Sequence, residues 1–392
     1  MEIREPVSPC LISGGTIVLE ERLVEGGSLL IDGGLIQRVL EPGDSAPRGA
    51  LKRIDASGAY VGPGLVELHI HGCDDLGFES EEPDALAKIG AFLLHNGVTT
   101  FLPTLQCSLP ALRRLAAALR ADPATAARVE GFYVEGPFVN PARRGGIMTE
   151  TLKAPDPAFL REVIDAAGGY LRLMTVAPEL PGSDEIIRLL LEAGVVPCLG
   201  HSDCSLDQLP AARERLSVTH LFNAMSPVSH KRTGLAMLPF LDRSIFFELN
   251  GDGVHVNSES LKLCYDHLNH DRLMLISDAV VSAGREGGRY DYFGRTVLSG
   301  EDGVRYEDGT LIGSRCLMPS VMKRFIAATG ASVEEAFRFA ALNPCRLLGL
   351  AGRRGSIAEG KEADLVLLDR ESLEVRTVLT AGREASGRKE GR

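Results

Sequence analysis

Eight short apolar runs recur through the middle of the chain, and most are followed by a stretch with helical periodicity. The runs cover residues 65–71, 99–104, 129–135, 171–177, 195–201, 218–221, 245–250 and 273–278. Amphipathic segments at 84–95, 111–120, 158–167 and 185–193 lie between them, and Ser205-x-x-Gln208 and Ser332-x-x-Glu335 have the spacing of capping boxes that open helices. Strands alternating with helices point to a parallel sheet covered on both faces. Eight alternations predict an α/β fold of the (β/α)8 TIM-like barrel type. The Gly-rich, Tyr-containing segment 284–313 interrupts the pattern after the eighth run. It is expected to form a small β insertion over the barrel mouth.

A barrel of about 250 residues leaves more than a hundred of the 392 unaccounted for. From Cys10 to Val39 the texture is short β-type runs separated by glycine, with Asp32-Gly33-Gly34 as a hairpin signal. The same texture returns at 363–368 and 375–379. Neither end is long enough to make a convincing domain alone. Together they are expected to form one small β-sandwich domain built from both chain termini: residues 1–60 and 355–392, with the barrel spanning 61–354. Arg388 to Arg392 reads as a frayed tail.

Charge and composition exclude several functions. The chain carries 42 Lys and Arg against 53 Asp and Glu, a net charge of −11. A nucleic-acid binder normally brings a cationic surface to the phosphates, so no nucleic-acid partner is expected. No run approaches the roughly 20 apolar residues of a membrane span, and no membrane partner is expected. Glu2, Arg4 and Glu5 precede no apolar core of a signal peptide. The eight cysteines are scattered, with no CxxC pair, and read as reduced thiols of a cytoplasmic protein.

The polar residues that interrupt the apolar runs carry the chemistry. His69 and His71 close the first run, Glu135 the third and His201 the fifth; His220 lies on the sixth, and Asp278 ends the eighth. Barrel active sites are assembled at the C-terminal ends of several strands, where these six residues fall. Period-2 spacing sends the imidazoles of His69 and His71 to one face, where they can share a cation. Glu67 has the same parity and is a candidate carboxylate for holding one of those rings. A lone buried Glu135 would be driven to its neutral form unless paired, by a cation or alternatively by loop N–H groups or Arg143 or Arg144. Single histidines such as His201 and His220 are often satisfied core residues, but two of them beside an acid and an HxH form a ligand set. Cys198-x-x-His201-x-x-Cys204 imitates a zinc motif; the odd spacing of Cys198 from His201 argues that this thiol points away, and Cys204 falls beyond the strand. Asp278 is the candidate general acid/base, accepting a proton from water and returning it to a leaving nitrogen. No G-x-S-x-G elbow, Walker loop or dinucleotide fingerprint is present.

Together these residues resemble the N-acetylglucosamine-6-phosphate deacetylase family of the amidohydrolase superfamily. The likeness is carried by Pro63 to Gly72, Gly97 to Thr104, Val134-Glu135-Gly136-Pro137-Phe138, Gly200-His201-Ser202 and Thr219 to Met225. It continues through Asp252-Gly253-Val254-His255, Ser277-Asp278-Ala279, Gly309 to Ser314 and Gly355 to Leu365, in the same order and over nearly the whole chain. The resemblance implies one or two ions per subunit: a metal on Glu135, His201 and His220, and a second that would share Glu135 and use His69 and His71. Zn²⁺ is the first expectation, with Fe²⁺, Co²⁺ and Mn²⁺ open. It implies that Asp278 is the catalytic acid/base and that His255 lies by the scissile acetamide. Asn223, Ala224, His255, Leu311 and Gly313 match substrate-contact positions. The implied reaction is hydrolysis of N-acetylglucosamine 6-phosphate to glucosamine 6-phosphate and acetate in amino sugar metabolism, by a cytoplasmic homodimer. Two departures bear on the substrate. Ile147 stands where the family often has a sugar-phosphate-binding His, and Lys231-Arg232 stands where an Arg reaches phosphate, typically from the neighbouring subunit. Another N-acetyl amino sugar, such as N-acetylgalactosamine 6-phosphate or an unphosphorylated sugar, is the alternative substrate. A non-catalytic scaffold is the remaining alternative.

Overall fold

The computed structural model describes residues 8–45, 51–121, 125–210 and 215–385; the Arg388–Arg392 segment lies outside them. Eight parallel barrel strands follow one another in chain order. They are Leu65–Ile70, Val98–Gln106, a third in two pieces (Arg128–Val129 and Phe132–Glu135), Leu171–Val176, Val196–Leu199, Ser217–Val218, Phe246–Asn250 and Leu273–Ile276. Every residue of the first two is buried, as expected when both faces of a strand are covered. The barrel closes beside its functional residues: the Asp278 N–H donates to the His69 carbonyl at 2.9 Å, and the His71 N–H to the Ala279 carbonyl at 2.8 Å.

The outer helices start and stop where local chemistry dictates. In Pro157–Ala167, Asp156 caps the N-terminus by accepting from the Ala158 N–H, proline takes the first turn, and left-handed Gly168 ends it. The two capping boxes are both formed, with different outcomes. Ser332 and Glu335 open Val333–Phe337, whereas Ser205 and Gln208 enclose only the 3-10 turn Leu206–Gln208.

The segment expected as an insertion is a four-stranded antiparallel meander from Gly288 to Gly313. A separate eight-stranded sheet joins the two ends of the chain. Its strand Cys10–Val18 pairs with Leu23–Asp32 and, in parallel, with Ala59–Pro63, which in turn pairs antiparallel with Leu365–Asp369. Ile12, Ile17, Leu29, Val61, Leu365 and Leu367 give this sheet its own apolar cluster. Gly62 ties it to the barrel, because a Cβ there would meet the Phe337 ring at 2.3 Å. Arg354, almost fully buried, adds ion pairs to Glu130 of the barrel and to Glu362 and Asp364 near the last strands. Among the described residues no helix is long and apolar enough to cross a membrane.

Candidate active site

The fifth, sixth and eighth barrel strands end earlier than their apolar runs suggest, and His201, His220 and Asp278 sit just beyond them. His201 (φ 47°), His220 (φ 26°) and Asp278 (φ 50°) all adopt left-handed backbone, as do Phe222 and Ala224. Such conformations cost about 1–3 kcal/mol each for residues with a Cβ and cluster at functional sites. Here they turn side chains out of the strand alternation and toward the barrel axis. Strand parity therefore misplaces Cys198: it packs inside the barrel with Tyr133, Leu173 and Met274, and His201 reaches the site through the turn after Leu199. Neither Cys198 nor Cys204 joins a group of clustered ligand-type atoms.

Two such groups form among the described residues, Glu135–His201–His220 and His69–His71–Asp278, all buried. In the first, Glu135 Oε1 lies 2.9 Å from His201 Nε2 and 3.1 Å from His220 Nε2, and the two nitrogens are 3.0 Å apart. His201 Nδ1 donates to the Arg143 carbonyl at 2.9 Å, so in the neutral ring its Nε2 presents a lone pair. In the second, Asp278 Oδ1 is 3.7 Å from His69 Nε2 and 3.6 Å from His71 Nε2. Glu135 joins the two groups, its oxygens lying 3.7 Å from His69 Nε2 and 3.5 Å from His71 Nε2. The alternative partners for Glu135 are occupied elsewhere: Arg143 pairs with Asp203 at 2.6 Å, and Arg144 donates to the carbonyls of Gly145 and Ile147.

The electrostatics are those of a cation site. Glu135, Glu248 and Asp278 are buried carboxylates, and among the described residues no Lys or Arg pairs with any of them. Burial alone would raise Glu135, but His201, His220 and His71 hold it well below the usual carboxylate range. Burial opposes charging His69, yet Glu248, Asp278 and Glu135 lift its pKa to about 10. For His71, burial outweighs Glu135 and lowers the pKa. His69 Nε2 is buried with no hydrogen-bond partner. Imidazole and carboxylate donors converging in this way suit a divalent cation and leave room for a catalytic position.

Beside the clusters, Asp278 Oδ2 is 3.3 Å from His255 Nε2, and His255 Nδ1 is 2.6 Å from Asp252 Oδ2. Burial disfavours charge on His255, but Asp252 and Asp278 overcome this and raise its pKa. Gly313 supports Asp278 from behind: its φ is +153°, and a Cβ there would fall 2.7 Å from the Asp278 carbonyl oxygen.

A cavity of about 340 Å³ opens over these groups. His71, Glu135, His201, His220, His255 and Asp278 form its floor, with Asn223 and Ala224 alongside. Ile147 lines the rim with Arg143, Tyr292, Leu311 and Ile312. Gly313, Lys231 and Arg232 do not line it; Lys231 and Arg232 are exposed, and Arg232 pairs with Asp203 at 3.3 Å.

Sequence reasoning missed several supporting residues. Glu67 does not reach an imidazole. The pairing of the first two strands is irregular between Glu67 and Ile70, and the Glu67 carboxylate accepts from the N–H groups of His69 and Ser277. Burial pushes its pKa up to about 7. The carboxylate that holds His69 is Glu248, on the seventh strand, and Asp252 does the same for His255. An acid between apolar neighbours, Phe246-Phe247-Glu248-Leu249, was the available signal. Gln106 anchors the rim loop by accepting from the Met148 N–H, and Tyr292 of the insertion reaches the cavity wall.

A model of the amidohydrolase family matches residues 60–385. N-acetylglucosamine-6-phosphate deacetylase from Bos taurus is 32% identical over 393 residues, covering 95% of this chain and 93% of its own. The chain belongs to the N-acetylglucosamine-6-phosphate deacetylase family of amidohydrolases. The family fold extends to solved structures. A point mutant of the Mycobacterium smegmatis N-acetyl-D-glucosamine-6-phosphate deacetylase, in complex with N-acetyl-D-glucosamine-6-phosphate, gives a TM-score of 0.88 at 30% identity, over 97% of this chain and 100% of that one. N-acetylgalactosamine-6-phosphate deacetylase from Escherichia coli O157:H7 is also 32% identical, over 83% of this chain and 87% of its own. Membership makes this chain a metal-dependent hydrolase, and overall identity does not separate the two sugar isomers.

Proposed function

We propose that the chain removes the acetyl group from N-acetylglucosamine 6-phosphate, releasing glucosamine 6-phosphate and acetate. The observation that carries this reading is the convergence of Glu135, His201, His220, His69 and His71 beside the Asp278–His255–Asp252 series, with His71, Glu135, His201, His220, His255 and Asp278 at the floor of one cavity and His69 and Asp252 buried beneath it. Glu135, His201 and His220 would hold one divalent cation, and His69 and His71, sharing Glu135, would hold a second. Zn²⁺ suits the donors, as do Fe²⁺, Co²⁺ and Mn²⁺. A cation there supplies Lewis-acid polarisation and lowers the pKa of water.

The chain's own residues supply the proton chemistry. Asp278 keeps Oδ1 toward the histidine pair and Oδ2 toward His255, which places its carboxylate between the ligand cluster and the ring expected beside the acetamide. It takes the proton from the attacking water and passes it to the departing sugar nitrogen. Asp252 accepts from Nδ1–H of His255 and, with Asp278, favours the protonated ring, whose Nε2–H can then stabilise the acetamide oxygen as it gains charge. Asn223 and Ala224 would contact the sugar beside the floor, with Leu311 and Ile147 above it, while Gly313 acts by admitting Asp278.

The cavity rim favours a second reading for the substrate. Ile147 is apolar where the family often has His, and the rim's Arg143 is already paired with Asp203. That wall favours an unphosphorylated N-acetyl amino sugar, while the 32% identity to an N-acetylgalactosamine-6-phosphate deacetylase keeps the phosphorylated isomer as the other alternative. For the phosphorylated substrate we propose a cytoplasmic homodimer in which Lys231 or Arg232 of one copy serves the cavity of the other.

Acetate release after metal reconstitution tests these readings, using N-acetylglucosamine 6-phosphate, its galactosamine isomer and free N-acetylglucosamine in parallel. The highest kcat/KM is expected for N-acetylglucosamine 6-phosphate. A strong preference for the galactosamine isomer or the unphosphorylated sugar selects the second reading, and inactivity on all three rejects both.

A further inference from the structure

Glu248 lies outside every motif that carried the family resemblance, yet it is fully buried under the histidine floor. A single oxygen, Oε2, accepts from His69 Nδ1 at 3.0 Å and from the His220 backbone N–H at 3.1 Å. The two donors belong to different ligand groups, on the first barrel strand and just beyond the sixth. Glu248 itself is on the seventh, paired in parallel with the eighth through Met274.

An acceptor can take only a proton from Nδ1, so the neutral His69 ring carries its hydrogen there and presents the Nε2 lone pair to Glu135 and Asp278. The Tyr133 ring, 4.8 Å from the His69 ring centroid, limits rotation on the other side. Nothing else among the described residues hydrogen-bonds to the His69 imidazole. A carboxylate in this position also raises the basicity of its imidazole.

We propose that Glu248 is a positioning residue that fixes the tautomer and orientation of His69 and thereby sets the affinity of the second cation position, formed by His69 and His71 with the shared Glu135. The proposal rests on the metal reading given above. His201 needs no such carboxylate, because its Nδ1 is held by the Arg143 carbonyl. The two positions therefore differ in support: Glu248 holds an imidazole of the second position but only a backbone N–H at the first.

The test uses the full chain stripped with a chelator and titrated with Zn²⁺ against a competing chelator, with metal content measured by mass spectrometry. Wild type should hold two ions of unequal affinity. Glu248→Gln is isosteric and should weaken the second ion by about 10–100-fold while leaving the first unchanged. Glu248→Asp, which keeps the charge but withdraws it from His69, provides a second variant should the first not fold. In a His69→Gln background, Glu248→Gln should add no further loss, since its effect passes through His69. Two ions with wild-type affinity in Glu248→Gln, or equal weakening of both, overturns the role of Glu248 alone. A wild-type chain that holds no ion overturns the metal reading and this proposal with it.

Discussion

The floor and the rim of the cavity are built by different means. The floor consists of residues at the ends of barrel strands, buried, with contacts of 2.6–3.7 Å from Glu135 through to Asp252. The rim comes from the loop after the third strand and from the β insertion, and presents Ile147, Leu311 and Ile312. The six ligand-type residues expected from the sequence all converge at the floor, whereas Ile147 and Lys231-Arg232, on which the expected sugar phosphate depends, concern the rim and its surroundings. The contrast teaches that the reaction class and the choice of sugar are separable here. Buried charges cannot change singly without leaving an uncompensated partner, while an apolar or exposed rim residue can.

That separation can be broken most severely at the floor. Asp278→Asn should lower kcat by about 10²–10⁴-fold while the purified protein keeps its bound metal; unchanged turnover would refute the proton-transfer role. Gly313→Ala should follow, because its Cβ would press on the Asp278 carbonyl oxygen. A loss of about 1–3 kcal/mol is expected, read as a lower melting temperature together with reduced turnover.

The rim should respond in KM rather than kcat. Ile147→His is expected to lower KM for the 6-phosphorylated sugar by about tenfold, the size of one hydrogen bond to a charged group, with kcat and the unphosphorylated sugar little changed. An equal effect on both sugars would remove Ile147 from phosphate recognition. The smallest change is expected for Lys231→Ala, a several-fold rise in KM for the phosphorylated sugar, in keeping with an exposed charge. Light scattering on the same sample should report a dimer; a fully active monomer would exclude service across the subunits.

Much of the floor was legible because barrel chemistry places ligand-type residues at strand ends, and His69, His71, Glu135, His201, His220 and Asp278 interrupt apolar runs there. The supports were not legible in the same way. Glu67 and Glu248 are both single acids in apolar strands, and parity favoured the wrong one. A pairing irregularity after Glu67 diverts its carboxylate to backbone N–H groups, and such an irregularity leaves no mark in residue types. Cys198 stays out of the metal site through its packing beside Tyr133 and not through strand parity, which the turn after Leu199 breaks.

The sequence by itself determined the barrel, the surplus sheet shared by the two termini, the insertion and the identity of the clustered donors. These follow from hydrophobic periodicity and from the cost of burying an unpaired charge, both of which are local properties. Only the tertiary structure decided which carboxylate holds which imidazole, that His201, His220 and Asp278 turn through left-handed backbone, and that Lys231 and Arg232 stay outside the cavity of their own chain. Those outcomes depend on strand register and turn geometry between residues far apart in the chain, 179 residues between His69 and Glu248 and 210 between Glu67 and Ser277. Register is a property of the closed barrel, fixed only when the eighth strand meets the first.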